Sequence, residues 1–281
     1  MSILDNNESI DETQKEFLKE NKTQPMSKFT LNELTDNYNQ STVLTKLSAV
    51  VFDFDGTIAD SFQLMIDIFC TEVTKKISKI TLDALIPITQ KILEEEIKDG
   101  MKNPKKLVIK VFYKTCRELG LGRSTSLNLT LQSALKIQKR YHEIEVFPNT
   151  EELLKILSDN GVPTVLITLS SKKKVIEILK KNDLEHYFQI IIDKNDLGNV
   201  EKAKGIEDSL LALGIDSDEV DNVIILGDLP SDIRDGKIAG IKTGALLTGP
   251  VEPNKLIDLE PDFIFADLNE FLTIFKRDLI V

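Results

Sequence analysis

Two apolar runs in this chain end in a pair of acids, and a third ends in a hydroxyl. The first reads Leu47-Ser48-Ala49-Val50-Val51-Phe52-Asp53-Phe54-Asp55-Gly56, the pattern of a buried strand running into a turn. Side chains alternate along a strand, so Asp53 and Asp55 leave it on the same side, and Gly56 permits a sharp turn just beyond them. Paired carboxylates at the mouth of a sheet suit a hard cation, and Mg2+ takes one or two carboxylates together with waters and phosphate oxygens. The second run, Val223-Ile224-Ile225-Leu226-Gly227-Asp228-Leu229-Pro230-Ser231-Asp232, repeats the arrangement. Pro230 and Ser231 suit a helix start, so Asp232 falls in or beside the first helical turn, where an acid also serves the helix dipole. The third run, Val162 to Ile167, ends in Thr168, followed by Leu169, Ser170 and Ser171. A hydroxyl and several backbone N–H groups ahead of a helix make an anion cradle. Ser171 reads as the helix N-cap, and Lys172 to Lys174 as a solvated face.

These groups act together only if the strands bearing them lie side by side. Further short β-branched runs at Phe188 to Ile192, Asn222 to Leu226 and Thr243 to Leu247 read as strands buried on both faces. Helices are expected at Asn149 to Asn160, capped by Asn149 and ended by Gly161, and at Lys172 to Lys181, Gly205 to Leu213 and Ser231 to Ala239. Asp262 to Phe265 and Leu268 to Phe275 add a last strand and helix. The alternation implies βαβ units with right-handed crossovers, hence a Rossmann-like parallel sheet in a three-layer α/β/α fold. Residues 62–145 break it: Phe62, Met65, Ile66 and Phe69, then Leu107, Val108, Val111 and Phe112, recur at spacings of three and four. That stretch reads as an inserted helical domain, with the α/β core at 45–61 and 146–281. Residues 1–44 have the polar, acidic composition of a poorly ordered extension.

The composition excludes several classes of function. Thirty-five Lys and Arg against 46 Asp and Glu give a net charge of −11, which speaks against nucleic acid and anionic membranes as partners. Cys70 and Cys116 stand alone, without a CxxC or a nearby His pair, so neither a disulfide framework nor a zinc site is expected. No apolar run reaches the roughly 18 residues of a spanning helix, and the start lacks the basic and apolar regions of a signal peptide. A cytoplasmic location is the expectation. His142 and His186 lie outside every motif, and Gly120-Leu121-Gly122 reads as a helix-ending turn.

Phe52-Asp53-Phe54-Asp55-Gly56-Thr57-Ile58-Ala59-Asp60-Ser61 resembles the first motif of the haloacid dehalogenase-like hydrolases, and Gly227-Asp228-Leu229-Pro230-Ser231-Asp232 resembles their fourth. The stretch from Ile233 to Thr243 continues like their phosphoglycolate phosphatase-like branch. The resemblance implies Asp53 as nucleophile, Asp55 as general acid and base, and Mg2+ held by Asp53, Asp228 and the Asp55 carbonyl, with Gly56, Gly227 and Asp232 in support. Thr168 matches the phosphate-binding second motif. Leu169 stands where many relatives have Asn or Ser, so backbone donors are expected to serve there. For the third-motif lysine the spacing to Leu210 and Leu211 favours Lys204 over Lys202, although Gly205 replaces the frequent Pro.

The insertion resembles the cap of this family, a lid that helps select the leaving group. Its Lys102, Lys105, Lys106, Arg117 and Arg123 are candidates to meet an anionic substrate group, although helical surfaces carry such charges routinely. The resulting expectation is a phosphatase of small phosphomonoesters, phosphoglycolate- or sugar-phosphate-like, acting as a monomer or homodimer. The alternatives are a phosphomutase of the β-phosphoglucomutase type and a non-catalytic metabolite-binding regulator.

Overall fold

The computed structural model describes residues 47–97, 104–198 and 201–278, together with Thr35. The expected N-terminal extension, 1–44, lies outside the described residues apart from Thr35. Six parallel strands form one sheet: β1 Ala49–Phe52, β2 Thr164–Ile167, β3 Phe188–Ile192, β4 Val223–Gly227, β5 Lys242–Leu246 and β6 Phe263–Phe265, in the order β3-β2-β1-β4-β5-β6. Five α-helices among the described residues lie between β1 and β2, the first four being α1 Ser61–Lys76, α2 Leu82–Ile97, α3 Pro104–Glu118 and α4 Arg123–Arg140. The remaining helices are α5 Thr150–Asp159, α6 Lys172–Lys181, α7 Lys194–Leu197, α8 Lys202–Leu213, α9 Pro230–Ile238, α10 Pro253–Ile257 and α11 Leu268–Asp278.

The two-residue period of a strand sorts β1 between two apolar layers. Val50 and Phe52 pack with Leu153 and Leu157 of α5, Ile178 of α6 and Phe271 of α11. Ala49 and Val51 face the opposite way, into a cluster with Ile206 and Leu210 of α8. Both faces being covered by helices is what requires the continuous apolar runs, since a parallel sheet exposes neither face. The result is the three-layer α/β/α architecture expected.

The chain leaves and re-enters the sheet through a narrow neck. Ala59 bridges Val146, Asp60 N–H donates to the Glu145 carbonyl at 2.9 Å, and Phe147 N–H donates to the Ile58 carbonyl at 2.9 Å. A third apolar cluster joins Phe69, Leu85 and Phe112 of α1–α3 to Leu229, Ile233 and Leu256 around α9 and α10. The Glu94–Lys255 ion pair at 3.0 Å ties α2 to α10 beside it.

Two capping expectations are corrected. Asn149 sits at the N-cap of α5 with φ 63° and makes no side-chain cap bond. Its Nδ2 instead donates to Asn269 Oδ1 of α11 at 2.9 Å, joining the helix to its neighbour. Ser171 likewise occupies the N-cap of α6 without a cap bond, because Asp193 reaches over from the end of β3 and accepts from Lys172 N–H at 2.8 Å. At α6 a tertiary neighbour thus takes the place of the local side chain at the helix end.

Candidate active site

β1 and β4 are neighbours although β2 and β3 intervene in sequence, so the crossovers run in opposite directions on either side of them. The crevice at such a switch point, outside the carboxyl ends of the strands, is where open α/β sheets bind ligands. Phe52 pairs with Leu226, and Asp53 N–H extends the ladder by donating to the Leu226 carbonyl at 3.0 Å. Asp53 and Asp228 thereby leave the ends of adjacent strands one residue apart in register, both buried. Pro230 starts α9 and turns Asp232 back over the same mouth, where its Oδ2 accepts from Leu229 N–H at 3.1 Å. Gly227 is required for this approach, because a Cβ there would lie 2.3 Å from the Asp232 Cβ.

Lysine 202, not Lys204, completes the cluster. Lys202 Nζ donates to Asp53 Oδ1 at 2.5 Å and to Asp232 Oδ1 at 2.7 Å, with only 4% of its side chain exposed. Lys204 is 55% exposed and pairs with Glu207 and Asp208 on its own helix. Positions two apart on a helix point about 200° away from each other, so α8 cannot present both lysines to the sheet. The spacing to Leu210 and Leu211 does not reveal where the helix begins: it starts at Lys202, three residues before the expected Gly205.

Asp55 stands apart from this cluster. Ser170 Oγ donates to its Oδ2 at 2.5 Å, and the Tyr141 hydroxyl lies 3.4 Å from its Oδ1 and 3.3 Å from Ser170 Oγ. Thr168 is fully buried, and its Oγ1 accepts from Ser170 N–H at 3.0 Å, which leaves the hydroxyl proton to give elsewhere. Leu169 is half-buried against the α8 side of the sheet. Lys174, expected to be solvated, places Nζ 4.2 Å from the centre of the Tyr141 ring.

Sequence reasoning missed Tyr141 and the part Ser170 plays. Tyr141 follows α4, 86 residues from Asp55, so no local spacing links them. Ser170 had a signal in its place two residues beyond Thr168, but that position equally suits a cap. Thr57, inside the first motif, donates to Asp228 Oδ1 at 3.2 Å, and Thr248 Oγ1 donates to the Gly56 carbonyl at 2.6 Å.

Charge in the cluster is unbalanced. Asp53, Asp228 and Asp232 bring carboxylate oxygens within 4.8 Å of one another, and one ammonium faces them. Burial, opposed in part by Lys202, pushes the Asp53 carboxyl up to about 7. Burial also drives Asp228 well above the usual carboxylate range, with Asp53 and Asp232 adding to the effect. For Lys202 burial acts to lower the pKa, but Asp232 and Asp53 together outweigh it and hold the ammonium protonated. Lys202 is shared by two carboxylates, which keeps it charged while leaving Asp53 with only part of a counter-charge.

A divalent cation fits this imbalance. Asp228 Oδ2 is buried and has no hydrogen-bond partner, a costly state for a carboxylate oxygen. The backbone closes round it: a Cβ on Gly56, whose φ is 88°, would lie 2.3 Å from that oxygen, and one on Gly249 would lie 2.1 Å away. Both oxygens of Asp232 are engaged, by Lys202 and by Leu229 N–H. Asp53 and Asp228 are therefore the carboxylates with capacity for an ion, and an all-oxygen set suits Mg2+.

Residues 50–246 match the model of the haloacid dehalogenase-like hydrolases. The chain belongs to that family. The pyrophosphatase PpaX of Halalkalibacterium halodurans is 23% identical over 232 residues, covering 82% of this chain and 97% of the relative. A phosphoglycolate phosphatase of Neisseria meningitidis is 26% identical over 233 residues, covering 80% and 92%. Among solved structures, the YfnB protein of Bacillus subtilis, crystallised bound to magnesium, shares the fold with a TM-score of 0.62 at 18% identity over 82% of this chain and 99% of its own. The chain is thus a hydrolase of a family whose relatives here act on phosphate groups. Among the described residues, no helix is long and apolar enough to cross a membrane.

Proposed function

We propose that this haloacid dehalogenase-like hydrolase is a magnesium-dependent phosphatase of small phosphomonoesters that works through a phosphorylated Asp53. The observation that carries the reading is the division of labour between two carboxyls two residues apart. Asp53 is held by Lys202 beside the candidate ion site, while Asp55 is held separately by Ser170 and Tyr141. Environments that differ this much assign different roles to like groups.

Asp53 attacks phosphorus, the bond from phosphorus to the ester oxygen breaks, and Asp55 gives its proton to the departing alkoxide. In the second half a water attacks the acyl phosphate on phosphorus and passes its proton to Asp55. Inorganic phosphate leaves and the Asp53 carboxylate is restored. Thr168 and the Leu169 backbone steady the phosphoryl oxygens, and Lys202 keeps Asp53 oriented. Mg2+, held by Asp53, Asp228 and the Asp55 carbonyl, would neutralise the charge that otherwise repels a carboxylate from a phosphate dianion. Residues 62–145 serve as the lid over the core formed by 45–61 and 146–281. The partner is a small phosphorylated metabolite met in the cytoplasm.

The test is phosphate release from a panel that includes acetyl phosphate, phosphoglycolate and a hexose phosphate, with Mg2+ or with EDTA, followed by acid quench of the two ester reactions and a search for a protein-bound, hydroxylamine-labile acyl phosphate. Release that needs Mg2+ and passes through that species supports the reading. Isomerised sugar phosphate without phosphate release would overturn hydrolysis as the reaction.

A further inference from the structure

A cavity of about 40 Å³ opens from Asp55 and Ser170 into the helices α1–α3, room for a short chain of a few heavy atoms. Phe62 and Met65 of α1, Leu93 of α2, and Leu107, Val111 and Phe112 of α3 form most of its wall. Among the described residues Asp55 is its one titratable lining side chain, and no Lys, Arg or His reaches it. Of the basic residues expected to meet an anion, the described Lys106, Arg117 and Arg123 do not line it. Arg117 donates to the Leu121 carbonyl. Lys102 and the Lys105 side chain lie outside the described residues.

Two hydroxyls interrupt the apolar wall. Thr89 Oγ1 is already spent on the Leu85 carbonyl at 3.0 Å. Ser61 Oγ, at the start of α1, is fully buried and has no hydrogen-bond partner. A lone unsatisfied hydroxyl beside an apolar space asks for one polar atom from whatever fills it.

We infer that this cavity receives the alcohol part of the substrate and that the alcohol is uncharged and mostly hydrocarbon, with one hydrogen-bonding atom for Ser61. The inference rests on the phosphatase reading, in which Asp55 protonates the leaving oxygen, so the leaving group extends from Asp55 into the space beside it. Among the described residues a carboxylate, as in phosphoglycolate, or a second phosphate, as in pyrophosphate, would find no counter-charge in this cavity and would lose its hydration for nothing. The substrate class therefore differs from those named for the relatives above.

The experiment compares kcat/KM for butyl phosphate, 2-methoxyethyl phosphate, phosphoglycolate and pyrophosphate, with acetyl phosphate as a probe too small to depend on the cavity. The two uncharged esters have the same length and differ by one oxygen. They are expected to exceed the two anionic substrates by at least about tenfold, the scale of discrimination an apolar pocket supplies. Ser61→Ala is expected to lower the ratio of 2-methoxyethyl to butyl phosphate turnover by roughly two- to tenfold, the worth of one hydrogen bond. Met65→Lys, at a half-buried position on the wall, is expected to shift preference toward phosphoglycolate. Acetyl phosphate cleaved, but phosphoglycolate or pyrophosphate preferred over both esters, would overturn the inference and leave the phosphatase standing. Failure on acetyl phosphate as well would overturn the phosphatase reading and this inference with it.

Discussion

The mouth of the sheet and the cavity beneath the helices meet at Asp55 and are built on opposite principles. At the mouth, polar groups from the ends of β1 and β4 and from α8 and α9 crowd together and are joined by hydrogen bonds and ion pairs. In the cavity, apolar side chains from three successive helices form the wall and one hydroxyl goes unanswered. The difference separates what a phosphate needs from what an alcohol needs. A transferring phosphoryl group requires fixed charges held within fractions of an ångström, which strand ends locked in a ladder provide. Selecting a leaving group requires only shape and dryness, which helices packed over the mouth supply.

The largest expected effect breaks the mouth alone. Asp53→Asn should lower turnover of every phosphomonoester by at least the roughly hundred- to thousandfold typical of losing one transition-state interaction. Measured on acetyl phosphate, that loss belongs to the mouth. Activity within tenfold of wild type would mean that Asp53 is not the nucleophile.

Next comes the lysine. Lys202→Ala removes the one ammonium facing the buried carboxylates and should destabilise the fold by about 3–5 kcal/mol, the cost of stripping one partner from a buried pair. Lys204→Ala, at an exposed position, should leave both melting temperature and activity unchanged. Denaturant titration of the two variants decides it, and equal effects would erase the distinction between the two faces of α8.

A third prediction concerns pH and metal. The folded pKa of Asp53 is raised to about 7 from an ordinary 3.8, so between those values the folded protein binds more protons than the unfolded chain. Without metal, stability should therefore fall as pH rises from about 4 to about 7. Mg2+ should offset that fall, stabilising by about 2.7 kcal/mol at a hundredfold excess over its Kd. Melting curves in EDTA and in Mg2+ at pH 5 and pH 7.5 check this: the Mg2+ increment should be larger at pH 7.5. An increment that shrinks as pH rises would contradict the placement of the ion among these carboxylates.

The smallest effect lies at the boundary between the two regions. Tyr141→Phe keeps the ring under Lys174 but removes the hydroxyl near Asp55 and Ser170. Turnover should fall roughly two- to tenfold, with KM nearly unchanged and the pH profile of kcat displaced, because the hydroxyl positions Asp55 without touching the alcohol. A change confined to KM would place Tyr141 in the cavity instead.

Much of the mouth was legible along the chain. Asp53, Asp55 and Asp228 stand within three residues of the end of a β-branched run, and Asp232 in the first turn of the helix that follows, so local pattern and sheet topology agree on where they lie. Thr168 ends β2 in the same way. The strands were legible for the same reason: β3 and α6 match the expected Phe188 to Ile192 and Lys172 to Lys181 at both ends. Groups that arrive from elsewhere were not. Tyr141 comes from the far end of the helical insertion and Asp193 from the neighbouring strand, and no spacing rule spans such separations.

The sequence by itself determined the sheet, the acids at its mouth and the helical character of residues 62–145, because strand and helix periods and strand-end acids are local properties. Tertiary structure decided which lysine faces Asp53, which group steadies Asp55, and that the cavity is apolar. The first depends on where α8 begins, since two residues of register turn a side chain from the core to solvent. The others depend on which surfaces of distant helices are brought together. Periodicity shows that a helix has an apolar face and does not show whether that face is buried in packing or left lining a space.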